Sequence, residues 1–195
     1  MTSANLLPTI TLHSGLEVDI FNLRVEQILI EDIAHALSNW CRWGAHCSEF
    51  YSVAQHCVHV VELLSCFTSH QPTLLSGLLH DASEAYIVDI PRPLKLRPEF
   101  AFYRTLEREI MALVGTRFGL PPAEPQIVKD ADDAMLLIEA RDLMPFAQSD
   151  DRDARIKQMA PLVFSLRTYR VTPLTPPEAK ARFLQMFETL TKEAA

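Results

Sequence analysis

The chain has no excess of basic residues, no cysteines spaced as C-x2-C, no apolar run of membrane-spanning length and no internal repeat. Each absence removes a class. With 18 Lys and Arg against 25 Asp and Glu, the formal charge is −7, so neither a nucleic-acid polymer nor an anionic membrane surface is the expected partner. A phosphate-bearing substrate then needs local positive charge or metal. No apolar stretch approaches the roughly 18 residues of a spanning helix. The opening Met1-Thr2-Ser3-Ala4-Asn5-Leu6 lacks a basic region followed by an apolar core, which makes the cytoplasm the expected location. Cys41, Cys47, Cys57 and Cys66 crowd one quarter of the chain, but not at paired-cysteine zinc spacing; reduced, half-buried thiols are expected.

What is present suits one soluble domain: 195 residues, 48% hydrophobic and 22% charged, enough to bury a single core. The expected domain is residues 1–195, with a core over about 30–145 and a C-terminal helical extension over about 156–192. Residues 9–12 and 16–21 flank a His13-Ser14-Gly15 turn and predict a short β-hairpin. From Ile30 the spacing becomes helical, through Ile33, Ala34, Leu37 and Trp40, with His35 off the apolar face. Arg42, Trp43 and His46 then fall on a loop around Gly44, a setting that favours binding groups.

Residues 50–67 predict a helix with Val53, Val60, Leu63 and Leu64 as its buried stripe, His56 inward and His59 at the rim. A central helix follows Pro72 and ends near Asp89, where Pro91 and Pro93 forbid continuation. Residues 98–118 predict another, on Phe102, Leu106, Ile110, Leu113 and Val114, closed by Gly119 and Pro121-Pro122. In the helix over 124–144, Asp132 shares a face with Val128, Met135 and Leu136, whereas Asp133 sides with Lys129 and Asp130. A buried carboxylate needs a partner, so Asp132 is a candidate ligand; Glu139 and Arg141 are expected in ion pairs. Residues 148–155 read as a polar loop, 159–166 as apolar, and a last helix runs from Pro176 through Leu190. The fold class is all-α.

Chemistry concentrates in Leu78-Leu79-His80-Asp81-Ala82-Ser83-Glu84-Ala85-Tyr86. On a helix, Glu84 lies one turn beyond His80 and Asp81, so the three can overlook one pocket. With His56 and Asp132 they make a mixed nitrogen and oxygen donor set suited to Mn, Fe, Co, Ni or Zn rather than to Ca or Mg alone. Neighbouring helical residues diverge by about 100°, so His80 and Asp81 can share an ion only if it sits close to the helix. Glu84 is placed to orient a water or move its proton.

Arg42-Trp43, Phe50-Tyr51-Ser52-Val53-Ala54-Gln55-His56, the run from Leu78 to Lys95, and Val128-Lys129-Asp130-Ala131-Asp132-Asp133 form an ordered set. That set resembles the HD-domain phosphohydrolases, in particular the small branch of bacterial 5'-deoxynucleotidases and phage dATP triphosphohydrolases. The resemblance spans residues 10–144 and, more loosely, the last helix. It implies an HD-domain helical bundle with a short N-terminal β-hairpin, commonly a homo-oligomer. It also implies that His56, His80, Asp81 and Asp132 bind the ion, that Glu84 and Asp81 serve catalysis, and that Asp89 contacts the sugar. Lys95 matches a phosphate-binding lysine, Arg42 a residue at sugar and phosphate, and Trp43 a residue packing on base or sugar. No histidine follows His80, so dinuclear relatives that recruit downstream histidines do not fit, whereas a second ion such as Mg, held by carboxylates and substrate phosphates, does. The stretch from Cys41 to Cys47 departs from the plainer nucleotidases and leaves base preference open. The expected activity is a dATP triphosphohydrolase releasing deoxyadenosine and triphosphate. The alternatives are a 5'-deoxynucleotidase acting on monophosphates and, from another class, a non-hydrolytic nucleotide-binding sensor.

Overall fold

A helix whose apolar residues spread round most of its circumference has to be surrounded, and residues 53–64, with Glu62 the one acid among them, are of that kind. The computed structural model describes residues 9–144 and 169–192; the stretches at 148–155 and 159–166 lie outside the described residues. In chain order come β1 (Ile10–Thr11) and β2 (Glu17–Val18), then α1 (Ile30–Asn39), α2 (Val53–Leu64), α3 (Gln71–Leu79) and α4 (Glu84–Ile87). They are followed by α5 (Arg92–Lys95), α6 (Ala101–Phe118), α7 (Gln126–Leu143) and α8 (Pro176–Lys192). Every residue of α2 except Glu62 is buried, because α1, α3, α7 and α8 all pack against it. Ser52 caps it, its hydroxyl accepting from the Gln55 N–H at 3.1 Å. Gln55 in turn clamps the approach to α8, donating to the Thr172 carbonyl at 2.7 Å and accepting from the Leu174 N–H at 2.9 Å.

The hairpin is shorter than the sequence suggests, with Ile10 opposite Val18 and Thr11 opposite Glu17. Its turn is pinned to α1: the Ser14 N–H and hydroxyl donate to Asp32 at 2.7 and 2.9 Å. His13 stacks on His35 with ring centroids 3.6 Å apart, so His35 is covered rather than fully solvated. Trp40, expected in the α1 stripe, is 41% exposed, since the helix ends at Asn39 and the extended backbone at Trp40 leaves the helical register. Phe102 is likewise 67% exposed, beside Phe21 at the outer end of α6, while Leu106, Ile110 and Val114 are buried as expected.

The largest departure is at residues 80–83. Instead of one helix from Pro72 to Asp89, α3 stops at Leu79 and α4 starts at Glu84. The His80 Nδ1–H donates to the Gly77 carbonyl at 2.9 Å, taking the acceptor that an unbroken helix gives to the Asp81 N–H. The turn closes instead through i to i+3 bonds, Ala82 N–H to Leu79 and Glu84 N–H to Asp81, both 3.0 Å. Gly77 also lets α3 approach α2 closely, because a Cβ there would come within 2.4 Å of Leu64 Cδ1.

After α4, Val88 adopts φ 57° and ψ 146°, a region that a β-branched residue enters only under strain. The Tyr103 hydroxyl holds its carbonyl, and the next residue, Asp89, is thereby turned toward Lys95. Val88→Gly is expected to raise the unfolding free energy by about 1 kcal/mol in urea titrations, strain relief outweighing the added freedom of the unfolded chain. A loss of stability instead would show that the valine is at ease there. Among the described residues no helix is long and apolar enough to cross a membrane.

Candidate metal centre

Four side chains from α2, the 80–83 turn and α7 meet beside α2. His56 Nε2 lies 3.3 Å from His80 Nε2 and 3.1 Å from Asp132 Oδ1. Asp81 Oδ2 lies 3.2 Å from His80 Nε2 and 3.9 Å from His56 Nε2. Asp132 Oδ1 is also 3.9 Å from His80 Nε2. His56, His80 and Asp81 offer ligand atoms all within 4.8 Å of one another, and Asp132 stands beside them within 4 Å of both imidazoles.

The far side of each imidazole is already committed. His56 Nδ1–H donates to Glu139 Oε1 at 2.5 Å, and His80 Nδ1–H to the Gly77 carbonyl. Both rings therefore turn their Nε2 atoms toward each other at 3.3 Å, between two carboxylates. Such an arrangement calls for a cation at its centre, and fixing the outer nitrogen is how proteins orient ligating histidines. The donor set fits a divalent transition ion.

The charges agree. Burial would raise the Asp132 carboxyl, but its hydrogen bond from His56 and the imidazoles nearby bring it down to about 2. Asp81 is also held below the usual carboxylate range: burial works the other way, and His80, His56 and Arg42 overcome it. Burial works to lower the His80 imidazole, and the adjacent Asp81 and Cys57 outweigh it and raise it well above its ordinary value.

Behind His56 stands a residue that sequence reasoning treated only as an ion-pair former. Glu139 is 0% exposed and binds three groups: His56, the Arg42 Nε–H at 2.9 Å and the Trp43 indole N–H at 3.3 Å. Burial would raise its carboxyl, but Arg42 and His56 pull it to about 2. The signal was there, since Glu139 follows Asp132 by seven residues and so returns to the same face of α7.

Arg42 also reaches Asp81, Nη1 to Oδ2 3.6 Å. The two residues expected at the substrate, Arg42 and Trp43, thus sit at the back of His56 and grip Glu139. They do so from an unusual turn in which Trp43, Gly44 and Ala45 all have left-handed φ, 58°, 58° and 64°. Gly44 adopts this freely, but Trp43 and Ala45 do not, and the grip on Glu139 together with the Cys47 thiol donating to the Arg42 carbonyl at 3.3 Å holds them.

Glu84 is 8% exposed and its carboxyl is raised well above the ordinary range by burial and then by the charges of Asp81 and Asp89. Asp89 and Lys95 are brought together: Lys95 Nζ is 2.9 Å from Asp89 and 2.8 Å from Glu107. Burial works against the ammonium, but these two carboxylates raise it above its ordinary value. The four cysteines are free thiols.

His59 is not at the rim. It is 4% exposed, its Nδ1 2.9 Å from the Tyr51 hydroxyl and its ring edge-on to Tyr169. Burial lowers it from 6.5 to about 4, so the folded protein keeps it neutral where the unfolded chain takes up a proton. The stability this neutral residue allows is complete above 6.5, and declines as pH falls toward 4. Between pH 7.5 and 5.0, urea titrations are expected to show a loss of about 2 kcal/mol that His59→Gln removes. An equal loss in the variant would assign the titration elsewhere.

No family model matches the chain. Over 168 residues it is 39% identical to the uncharacterized protein YfdR of Escherichia coli (strain K12), a match that covers 86% of each protein. The chain belongs to the YfdR family. The Rhodobacter capsulatus protein RCAP_rcc00048 is 32% identical to it over 190 residues, covering 92% of this chain and 93% of that one. Among solved structures, the cyanophage S-2L HD phosphohydrolase (DatZ), bound to dA and one catalytic Zn2+ ion, is similar with TM-score 0.47 and 19% identity, over 82% of this chain and 95% of that chain. What this YfdR-family chain presents in its own right is a pair of oriented imidazoles and two ionised carboxylates beside a buried helix.

Proposed function

We propose that the protein is a metal-dependent phosphohydrolase of deoxynucleotides and, in its most specific form, a dATP triphosphohydrolase that releases deoxyadenosine and triphosphate. The observation that carries the reading is the convergence of His56 Nε2, His80 Nε2, Asp81 and Asp132 with both outer imidazole nitrogens already engaged. A Zn, Co, Mn, Fe or Ni ion held by these four supplies Lewis-acid polarisation of a phosphoryl oxygen and a lowered pKa for the attacking water. The motif resemblance to HD-domain phosphohydrolases supports the same roles.

In this reading Glu84 is the proton carrier. A buried carboxyl with a raised pKa can take a proton from the attacking water and return it to the leaving 5'-oxygen. Asp89, held by Lys95, offers an acceptor for a sugar hydroxyl. Arg42 acts on the phosphate indirectly, by fixing Glu139 and through it His56.

The deciding experiment is a chromatographic assay of protein reconstituted with Zn, Co, Mn or Mg against all deoxy- and ribonucleoside mono- and triphosphates, with Asp81→Ala as blank. Deoxyadenosine and triphosphate from dATP are expected. Orthophosphate from deoxymonophosphates alone would make the protein a 5'-deoxynucleotidase. Binding without product under every metal would replace hydrolysis by sensing.

A further inference from the structure

Beside the metal cluster the described residues enclose a cleft of about 920 Å³. It opens on His80 and Asp81, runs along the Arg108, Met111 and Gly115 face of α6, and is bounded across from it by Glu124 and Lys129. Its size suits a nucleotide or a large part of one.

The cations near the site fall into two sets. Arg42 and Lys95 are already matched, the first by Glu139 and Asp81, the second by Asp89 and Glu107. Arg108 and Lys129 make no ion pair among the described residues, although Lys129 is near enough to Glu124 to act on its carboxyl. Among the described residues, Arg108 bonds the Arg104 carbonyl and the Thr105 hydroxyl of its own helix, both at 3.2 Å. Lys129 makes no ion pair or hydrogen bond among the described residues. In a chain of net charge −7, two cations that line one cleft leading from the cluster, neither in an ion pair among the described residues, form a local field for an extended anion. Of the three carboxylates that line the cleft, Asp81 belongs to the cluster and is matched by Arg42 and His80, and Glu107 is neutralised by Lys95. Glu124 remains, as an opposing charge on the rim.

We infer that this cleft receives the polyphosphate tail of a nucleotide, Arg108 and Lys129 holding the phosphates beyond the one at the metal cluster. The inference rests on the metal-dependent reading above and deepens it: the nucleoside leaves on the other side, and triphosphates are selected over monophosphates. A single phosphate at the cluster gains nothing from either cation.

The test is calorimetric titration of the zinc-reconstituted full chain with inorganic triphosphate and with orthophosphate, in wild type and in the Arg108→Gln/Lys129→Gln double variant. Both positions are exposed and make no ion pair among the described residues, so the fold is expected to persist, which circular dichroism checks. Triphosphate is expected to bind wild type far more tightly than orthophosphate, and the double variant to lose about a hundredfold in triphosphate affinity, roughly tenfold per charge-assisted contact. The ratio of kcat/KM for dATP to that for dAMP should fall in step. Glu124→Gln is expected to tighten triphosphate binding several-fold. Equal triphosphate affinity in wild type and double variant overturns the inference, as does an unchanged dATP to dAMP ratio. If no nucleotide is turned over at all, the hydrolytic reading fails, and the titration still decides the cleft.

Discussion

Glu139→Gln is expected to weaken metal binding by roughly 10- to 100-fold and to destabilise the fold by about 3–5 kcal/mol, although residue 139 touches no metal in the proposed site. The carboxylate is 0% exposed and answers three donors from two distant parts of the chain. Without its charge, the ion pair left to Arg42 among the described residues is the longer one with Asp81, at 3.6 Å, and the guanidinium loses its main compensation. His56 loses the acceptor that fixes its tautomer, so the ring can carry its proton on Nε2 and present no lone pair to the cluster. The left-handed turn at Trp43 to Ala45 loses two of its anchors as well. Zinc affinity by chelator competition and urea unfolding read the two effects separately. Adding Arg42→Met to Glu139→Gln should restore part of the stability by removing the orphaned charge, but none of the zinc affinity. Zinc affinity that survives the single substitution would reduce Glu139 to a structural ion pair.

Periodicity alone turns His56 and Asp132 inward: His56 is fully buried on the register of Val53 and Val60, whereas Asp132, 3.1 Å from His56 Nε2, keeps its side chain 39% exposed although Val128 and Met135 on its face are buried. It failed where a residue's partner is non-local or where a side chain rewrites the backbone. Arg42 and Glu139 are 97 residues apart, and nothing near either in sequence announces the other. The break at His80 comes from an imidazole capturing the Gly77 carbonyl, an event invisible in a hydrophobic pattern. His59 was put at the rim from its helix position alone, yet α2 is enclosed all round, and Tyr51 and Tyr169 cover it. The left-handed φ at Trp43, Ala45 and Val88 was equally hidden, because only glycine advertises that conformation in a sequence.

Asp81→Ala is expected to abolish turnover and the stabilisation by metal together. Its Oδ2 is the atom that lies within 4 Å of both Nε2 atoms and of Arg42, so its loss removes a ligand and the charge that balances the other side of the cluster. An ion that binds only the folded state stabilises it by about 4 kcal/mol when present at a thousand times its Kd. Wild type should show that gain in thermal or urea unfolding with added zinc and lose it with a chelator. Asp81→Ala should show almost none of it. Glu84→Gln separates holding the ion from moving the proton: the metal-induced gain persists, because Glu84 is no ligand in the proposed site, while turnover falls by about 10²- to 10⁴-fold. If zinc stabilises Asp81→Ala as much as wild type, the ion binds elsewhere and the His56, His80, Asp81 and Asp132 cluster is a buried ion-pair network. If Glu84→Gln retains full turnover, the proton travels by another route, and Asp89, the next carboxylate along the chain from Glu84, becomes the group to test.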